Sequence, residues 1–156
     1  MSLPTGLVHE VANNDQIQPI KELIFQVLEE FGLVPDDPEL DGDLDDIEKH
    51  YQNGYFGIIK NRENDIIATF ALFRLSEGVA EIRKMYLLPE YRSLGIGKWM
   101  LHYLIEKARE LNYNKVELKT ASVLTAAIKL YQKTGFEEVT TSDASPRCDR
   151  AFQMYL

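Results

Sequence analysis

Cysteine occurs once in 156 residues, at Cys148, which excludes an internal disulfide framework and any zinc site built on cysteine. Histidine is nearly as scarce: His9, His50 and His102 stand far apart, without the spacing of a metal site. No apolar run approaches membrane length and no lipidation motif occurs, so a cytoplasmic protein with no membrane partner is expected. Positive charge is short as well, with 17 Lys and Arg against 25 Asp and Glu and a net charge of −8. No basic stripe exists to neutralise a phosphate backbone, so nucleic acid is not an expected partner. Internal repeats, linkers and low-complexity tracts are also missing.

What is present is ordinary globular composition, 45% hydrophobic and 27% charged. Residues 1–156 read as one domain, long enough to bury about 70% of the surface its unfolded chain would expose. Gly6 to Asn13 reads as a first strand. Asp15 is a candidate cap for a helix from Gln16 to Phe31, whose Ile17, Ile20, Ile24, Val27, Leu28 and Phe31 recur at helical spacing. A shorter helix is expected over Leu44 to Tyr51. Strands follow at Tyr55 to Lys60, Ile66 to Leu75 and Val79 to Leu88, then a helix over Ile96 to Leu111. Lys115 to Thr120 reads as a strand, Thr125 to Lys133 as a helix ended by Gly135, and Glu137 to Thr141 and Arg150 to Leu156 as the last strands, separated by Ser142 to Asp149. The order β-α-α-β-β-β-α-β-α-β-β describes an α/β domain with a mixed, mostly antiparallel sheet and helices on both faces. The unit around residues 92 to 98 is expected to be a parallel crossover.

That stretch, Arg92-Ser93-Leu94-Gly95-Ile96-Gly97-Lys98, carries the most information. Two glycines at a strand-to-helix turn let backbone N–H groups converge, and the helix start adds unpaired donors and the positive end of its dipole. Arg92 and Lys98 bracket the turn. Such a turn can hold an anion, most simply a phosphate, or can be a tight turn that opens a helix and nothing more. The Walker spacing fails because its second glycine would fall at Met100, and the dinucleotide spacing G-x-G-x-x-G fails at the same residue.

Ala80 to Lys98, with the R-x-x-G-x-G pattern at Arg92, Gly95 and Gly97, resembles the acetyl-CoA-binding core of the GNAT superfamily of N-acetyltransferases. Ala127-Ile128-Lys129-Leu130-Tyr131-Gln132-Lys133-Thr134-Gly135-Phe136 resembles that family's later helix. Two motifs in the right order, about thirty residues apart, are more specific than either alone. The resemblance implies a GNAT-like fold and acetyl-CoA as co-substrate, with no metal. Backbone amides of Leu94, Gly95, Ile96, Gly97 and Lys98, with Arg92 and Ser93, would hold the pyrophosphate. The strand at Met85, Tyr86 and Leu87 would pair with the pantetheine arm where neighbouring strands splay, as a bulge can make them do. Tyr131 matches the usual general acid, beside the departing thiolate; otherwise it is a core tyrosine. Glu81 stands where some members carry a carboxylate base, or it forms an ion pair with Arg83 on one strand face. One departure is Leu124, at a position where many members have Asn; Thr120-Ala121-Ser122 or Thr125 would have to supply polar contacts instead.

Other signals are weaker. Asp36, Asp37, Glu39, Asp41, Asp43, Asp45, Asp46 and Glu48 put eight acids into thirteen residues. Asp41, Asp43 and Asp45 begin like a calcium loop, but Asp46 and Gln52 replace its required Gly and Glu. The stretch is either an attractor for a cationic amine acceptor or a solvated acidic loop. Cys148 lacks a partner histidine and reads as a half-buried structural thiol, and Trp99 as a packing residue. The expected activity is transfer of acetyl from acetyl-CoA to a primary amine, small-molecule or peptide, by direct attack in a ternary complex. A non-catalytic acyl-CoA-binding or sensing module is the alternative. The acceptor is not legible, and a homodimer is among the assemblies the sequence allows.

Overall fold

A computed structural model of the chain describes residues 2–141 and 144–156. Seven strands form one sheet in the order β1-β2-β3-β4-β5-β7-β6. They are β1 (Val8–Val11), β2 (Tyr55–Lys60), β3 (Ile66–Ser76), β4 (Val79–Leu87), β5 (Lys115–Thr120), β6 (Glu137–Val139) and β7 (Arg150–Tyr155). Among the described residues only β4 and β5 pair in parallel; every other neighbouring pair is antiparallel. The helix α4 (Ile96–Glu110) makes the crossover between those two strands, because parallel strands cannot be joined by a tight turn. The mixed, mostly antiparallel sheet matches the sequence reading.

Each face of the sheet is covered. On one, α1 (Ile17–Glu30) inserts Ile20, Ile24, Val27 and Leu28 against Phe56, Ile58 and Ala71. On the other, α4 inserts Ile96, Met100, Leu101 and Leu104 against Ile59, Phe70 and Leu72, together with Ile128 and Tyr131 of α5 (Thr125–Thr134). β3 serves both faces by alternation, Phe70 and Leu72 to one and Ala71 and Phe73 to the other. Phe70 and Phe152 are the largest fully buried side chains, each stabilising the fold by about 1.5–3 kcal/mol. Trp99 packs as expected, stacked on Tyr103 at 5.2 Å between ring centroids.

Boundaries differ where local hydrogen bonds decide them. Asn13, not Asp15, is the cap ahead of α1: its Oδ1 accepts the Asp15 N–H at 2.9 Å, while Gln16 Oε1 accepts the Asn13 N–H at 3.0 Å. A 3₁₀ turn at Asn14–Gln16 therefore precedes the α-helix. Asn13→Ala is expected to cost about 1 kcal/mol, read as a lower urea midpoint with unchanged slope. In place of the helix expected over Leu44 to Tyr51 the chain forms the end of a 3₁₀ turn at Gly42–Asp45 and a short α3 (Ile47–His50), and a further short helix, α2 (Pro38–Asp41), stands before them in the expected loop. Asp46 leaves helical geometry at φ −153° and recaps the chain by accepting the Lys49 N–H at 3.1 Å. The signal for α2 was in the sequence, as Asp37 caps it and Pro38 opens it. β6 stops at Val139, short of Thr141. Of the loop expected at Ser142 to Asp149, Ser142 and Asp143 lie outside the described residues.

Candidate active site

β4 carries the feature that opens the site. Opposite Thr69, Phe70 and Ala71 of β3 the register slips, because β4 holds one residue more between Arg83 and Tyr86. Lys84 occupies the bulge in the left-handed region at φ +51°, and Thr69 Oγ1 donates to its carbonyl at 2.6 Å. On its other edge β4 pairs with β5 only from Val79–Lys115 to Ile82–Leu118. Beyond that point the two strands part, and a cleft of about 620 Å³ lies along the gap.

The glycine turn forms one end of this cleft. Ser93 and Gly95 both take positive φ, +65° and +82°, and the chain then enters α4 with no side-chain cap. Nothing lies within 4 Å of a Cβ built on Gly95, so its need for glycine is conformational. The amides of Ile96, Gly97 and Lys98 are first-turn groups without intrahelical acceptors. Arg92, Ser93 and Gly97 line the cleft, as do Met85, Tyr86 and Leu87. The side chains of Leu94 and Lys98 are exposed, and Ile96 is buried in the core. Arg92 is not a free cation: it holds Glu30 bidentately at 2.5 and 2.9 Å and donates to the Leu87 carbonyl at 3.2 and 3.0 Å. Its guanidinium ties the turn to the end of α1 and to β4.

Tyr131 lines the same cleft from α5, which Gly135 ends at φ +110°. Its ring packs near Phe136 and Phe152, and its side chain bounds the cleft. Burial, with Tyr86 adding to it, pushes the phenol well above its ordinary pKa, so it keeps its proton. Around Leu124, Thr120 and Thr125 line the cleft, whereas Ser122 is committed to Asp149 by Oγ–Oδ2 and N–Oδ1 bonds of 2.6 and 2.8 Å. Ser122 is therefore removed from the substitutes for the missing Asn.

At the other end, Glu81 and Arg83 form the ion pair that their spacing suggested, Nε to Oε1 at 2.5 Å, and both line the cleft. The pair is only partly exposed, with side-chain exposures of 12% for Glu81 and 29% for Arg83. Arg83 lies over the Phe73 ring, 3.7 Å from its centroid.

The acidic stretch is only in part the solvated loop that the sequence offered: Asp36, Glu39, Asp45 and Glu48 are exposed, and Glu39 lines the cleft. Asp41 and Asp43 are buried. Lys84 Nζ reaches Asp41 at 3.3 Å, Asp43 at 3.2 Å and the Leu40 carbonyl at 2.6 Å. Arg147, from the loop before β7, grips Asp41 with bonds of 2.7 and 2.9 Å, and the Tyr51 hydroxyl donates to Asp43. Burial pushes the Asp41 carboxyl up, but Arg147, Lys84 and the Asp37 N–H outweigh it and hold it below the usual carboxylate value. Asp45 pairs with Lys21, and Asp37 and Asp46 cap helices. Asp37, Asp41, Asp43, Asp45 and Asp46 are thus spent on internal partners. Lys84 and Arg147 were not legible as site residues, since no local motif marks a cation that meets its partners across the fold. Cys148 is half-buried in the cleft wall, its thiol pKa raised by burial.

A model of the acetyltransferase (GNAT) family matches residues 21–136. The chain belongs to this family. An uncharacterized N-acetyltransferase of Escherichia coli, YjgM, is 31% identical over 126 residues, 77% of this chain and 75% of that protein. The GNAT-family acetyltransferase of Staphylococcus aureus Mu50 superposes with a TM-score of 0.86 at 26% identity, over 96% of this chain and 98% of that one. A phosphinothricin acetyltransferase from Sinorhizobium meliloti, solved with AcCoA, shares the fold with a TM-score of 0.76 at 18% identity, over 97% of this chain and 89% of that one. The chain is thus an acetyltransferase of the GNAT fold.

Proposed function

We propose that this GNAT enzyme transfers an acetyl group from acetyl-CoA to a primary amine by direct attack in a ternary complex. The observation that carries the reading is the parting of β4 from β5 beyond Ile82 and Leu118, beside the glycine turn. It leaves a slot one strand wide, suited to an extended arm that ends in a pyrophosphate. The AcCoA complex of the Sinorhizobium neighbour supports the same donor.

In this mechanism the amine nitrogen attacks the thioester carbonyl, a C–N bond forms, and the C–S bond breaks with its electron pair passing to sulfur. Backbone donors near Met85 to Leu87 polarise the carbonyl. The Tyr131 phenol, kept protonated by its burial, gives its proton to the departing thiolate. The attacking nitrogen starts as an ammonium with a pKa around 10 and must shed a proton, to Glu81 directly or through a water. Holding the amine against the thioester supplies the larger share of the rate, since orientation alone is worth about 7–11 kcal/mol in favourable cases.

Initial velocities measured with both substrates varied test the order of events. Intersecting double-reciprocal lines are expected; parallel lines would mean an acetyl-enzyme and would remove direct attack.

A further inference from the structure

We infer that the acceptor is an α-amino acid, whose carboxylate is bound by Arg83 while its amine faces Glu81. The inference deepens the acetyl-transfer reading and rests on it. The two side chains form a dipole on the cleft wall, anion and cation 2.5 Å apart. An α-amino acid carries the complementary pair, an ammonium and a carboxylate on a single carbon. A polyamine or a simple alkylamine offers Glu81 its charge but places nothing on Arg83.

Arg83 is built to receive an anion. Its bond to Glu81 uses Nε and the Tyr51 hydroxyl also lies against the guanidinium, which leaves N–H groups of the two Nη atoms to offer a ligand. Two parallel N–H donors are the geometry that a carboxylate matches bidentately. The guanidinium lies over the Phe73 ring at 3.7 Å and is tied to Glu81, so little side-chain freedom remains to be lost on binding. Burial works against its charge, but Glu81 first and then Tyr51 and Asp43 outweigh that and keep it cationic. Two neighbouring cations are more fully committed: Arg147 is bidentate on Asp41, and Lys84 sits between Asp41 and Asp43. Leu28, Phe31, Leu33 and Leu75 line the same cleft and suit an apolar side chain.

The test compares leucine with leucinamide as acceptors for acetyl-CoA, followed by thiol release. The amide has the lower amine pKa and so the larger neutral fraction at pH 7.5, which favours it on reactivity alone. A preference for leucine therefore reports the carboxylate. In the wild-type enzyme kcat/KM is expected to be at least about tenfold higher for leucine, the size of a charged hydrogen bond gained. Arg83→Met, which keeps an apolar stem on Phe73, should collapse that ratio, and Arg83→Lys should restore part of it. Calorimetric titration with acetyl-CoA shows whether each variant is folded. Equal or better turnover of leucinamide by the wild type, or a ratio unchanged in Arg83→Met, overturns the inference and leaves acetyl transfer standing. Failure to acetylate any amine by enzyme that binds acetyl-CoA overturns both.

Discussion

Tyr131→Phe is expected to lower kcat by about 10²–10⁴-fold, the usual worth of a positioned proton donor, while acetyl-CoA affinity changes little. The substitution removes one oxygen and keeps the ring, so the packing near Phe136 and Phe152 survives. Its effect should fall on kcat and kcat/KM together, the signature of an interaction made in the transition state and not in the ground state. A buried phenol with a raised pKa stays protonated at neutral pH, so its proton is in place when the thiolate forms. The wild-type rate should therefore show no acidic loss attributable to this group. Pre-steady-state thiol release separates chemistry from product release. A variant with wild-type kcat would remove Tyr131 from the reaction and return it to the core.

Lys84→Met should be the most destabilising single change near the cleft, by about 3–5 kcal/mol, because it strips a cation from between two buried carboxylates. For a domain of this size that is a fall in Tm of roughly 10 °C. The same change frees the bulge, so acetyl-CoA affinity should weaken along with stability. A shift of only a degree or two would mean that Asp41 and Asp43 are adequately held by Arg147 and Tyr51. Acid should act on the same cluster. The Asp41 carboxyl is held below its unfolded value, so its contribution is complete above the unfolded pKa of about 3.9 and is lost as pH falls through the folded one. Asp41→Asn should flatten the fall in the urea midpoint below about pH 4, and an unchanged acid limb would contradict that assignment.

The sequence was informative where the physics is local and poor where partners meet across the fold. Tyr55–Lys60 and Lys115–Thr120 coincide with their expected bounds, since alternation and turn residues specify a strand within its own few residues. The α4 turn was visible because Gly95 occupies a conformation that few other residues tolerate. The bulge was anticipated only in kind, by analogy with splayed strands; Lys84 at positive φ breaks the preference that would have revealed it. Asp41 and Asp43 misled because carboxylates in a run of acids look solvated. Their partners, Lys84 and Arg147, lie 43 and 106 residues beyond Asp41, and no periodicity links such positions. Arg92 likewise fits the expected pattern, yet it spends its guanidinium on Glu30 and Leu87.

The central claim is that the cleft between β4 and β5 brings an acetyl thioester to an amine. Acetyl-CoA labelled in its acetyl carbonyl, incubated with the enzyme and an amino acid panel, tests it most directly. The expected result is amine-dependent thiol release with the label recovered as an N-acetyl product in equal amount. Saturable acetyl-CoA binding with no label on any nitrogen would contradict it, and would leave the fold as a module that holds the thioester without using it.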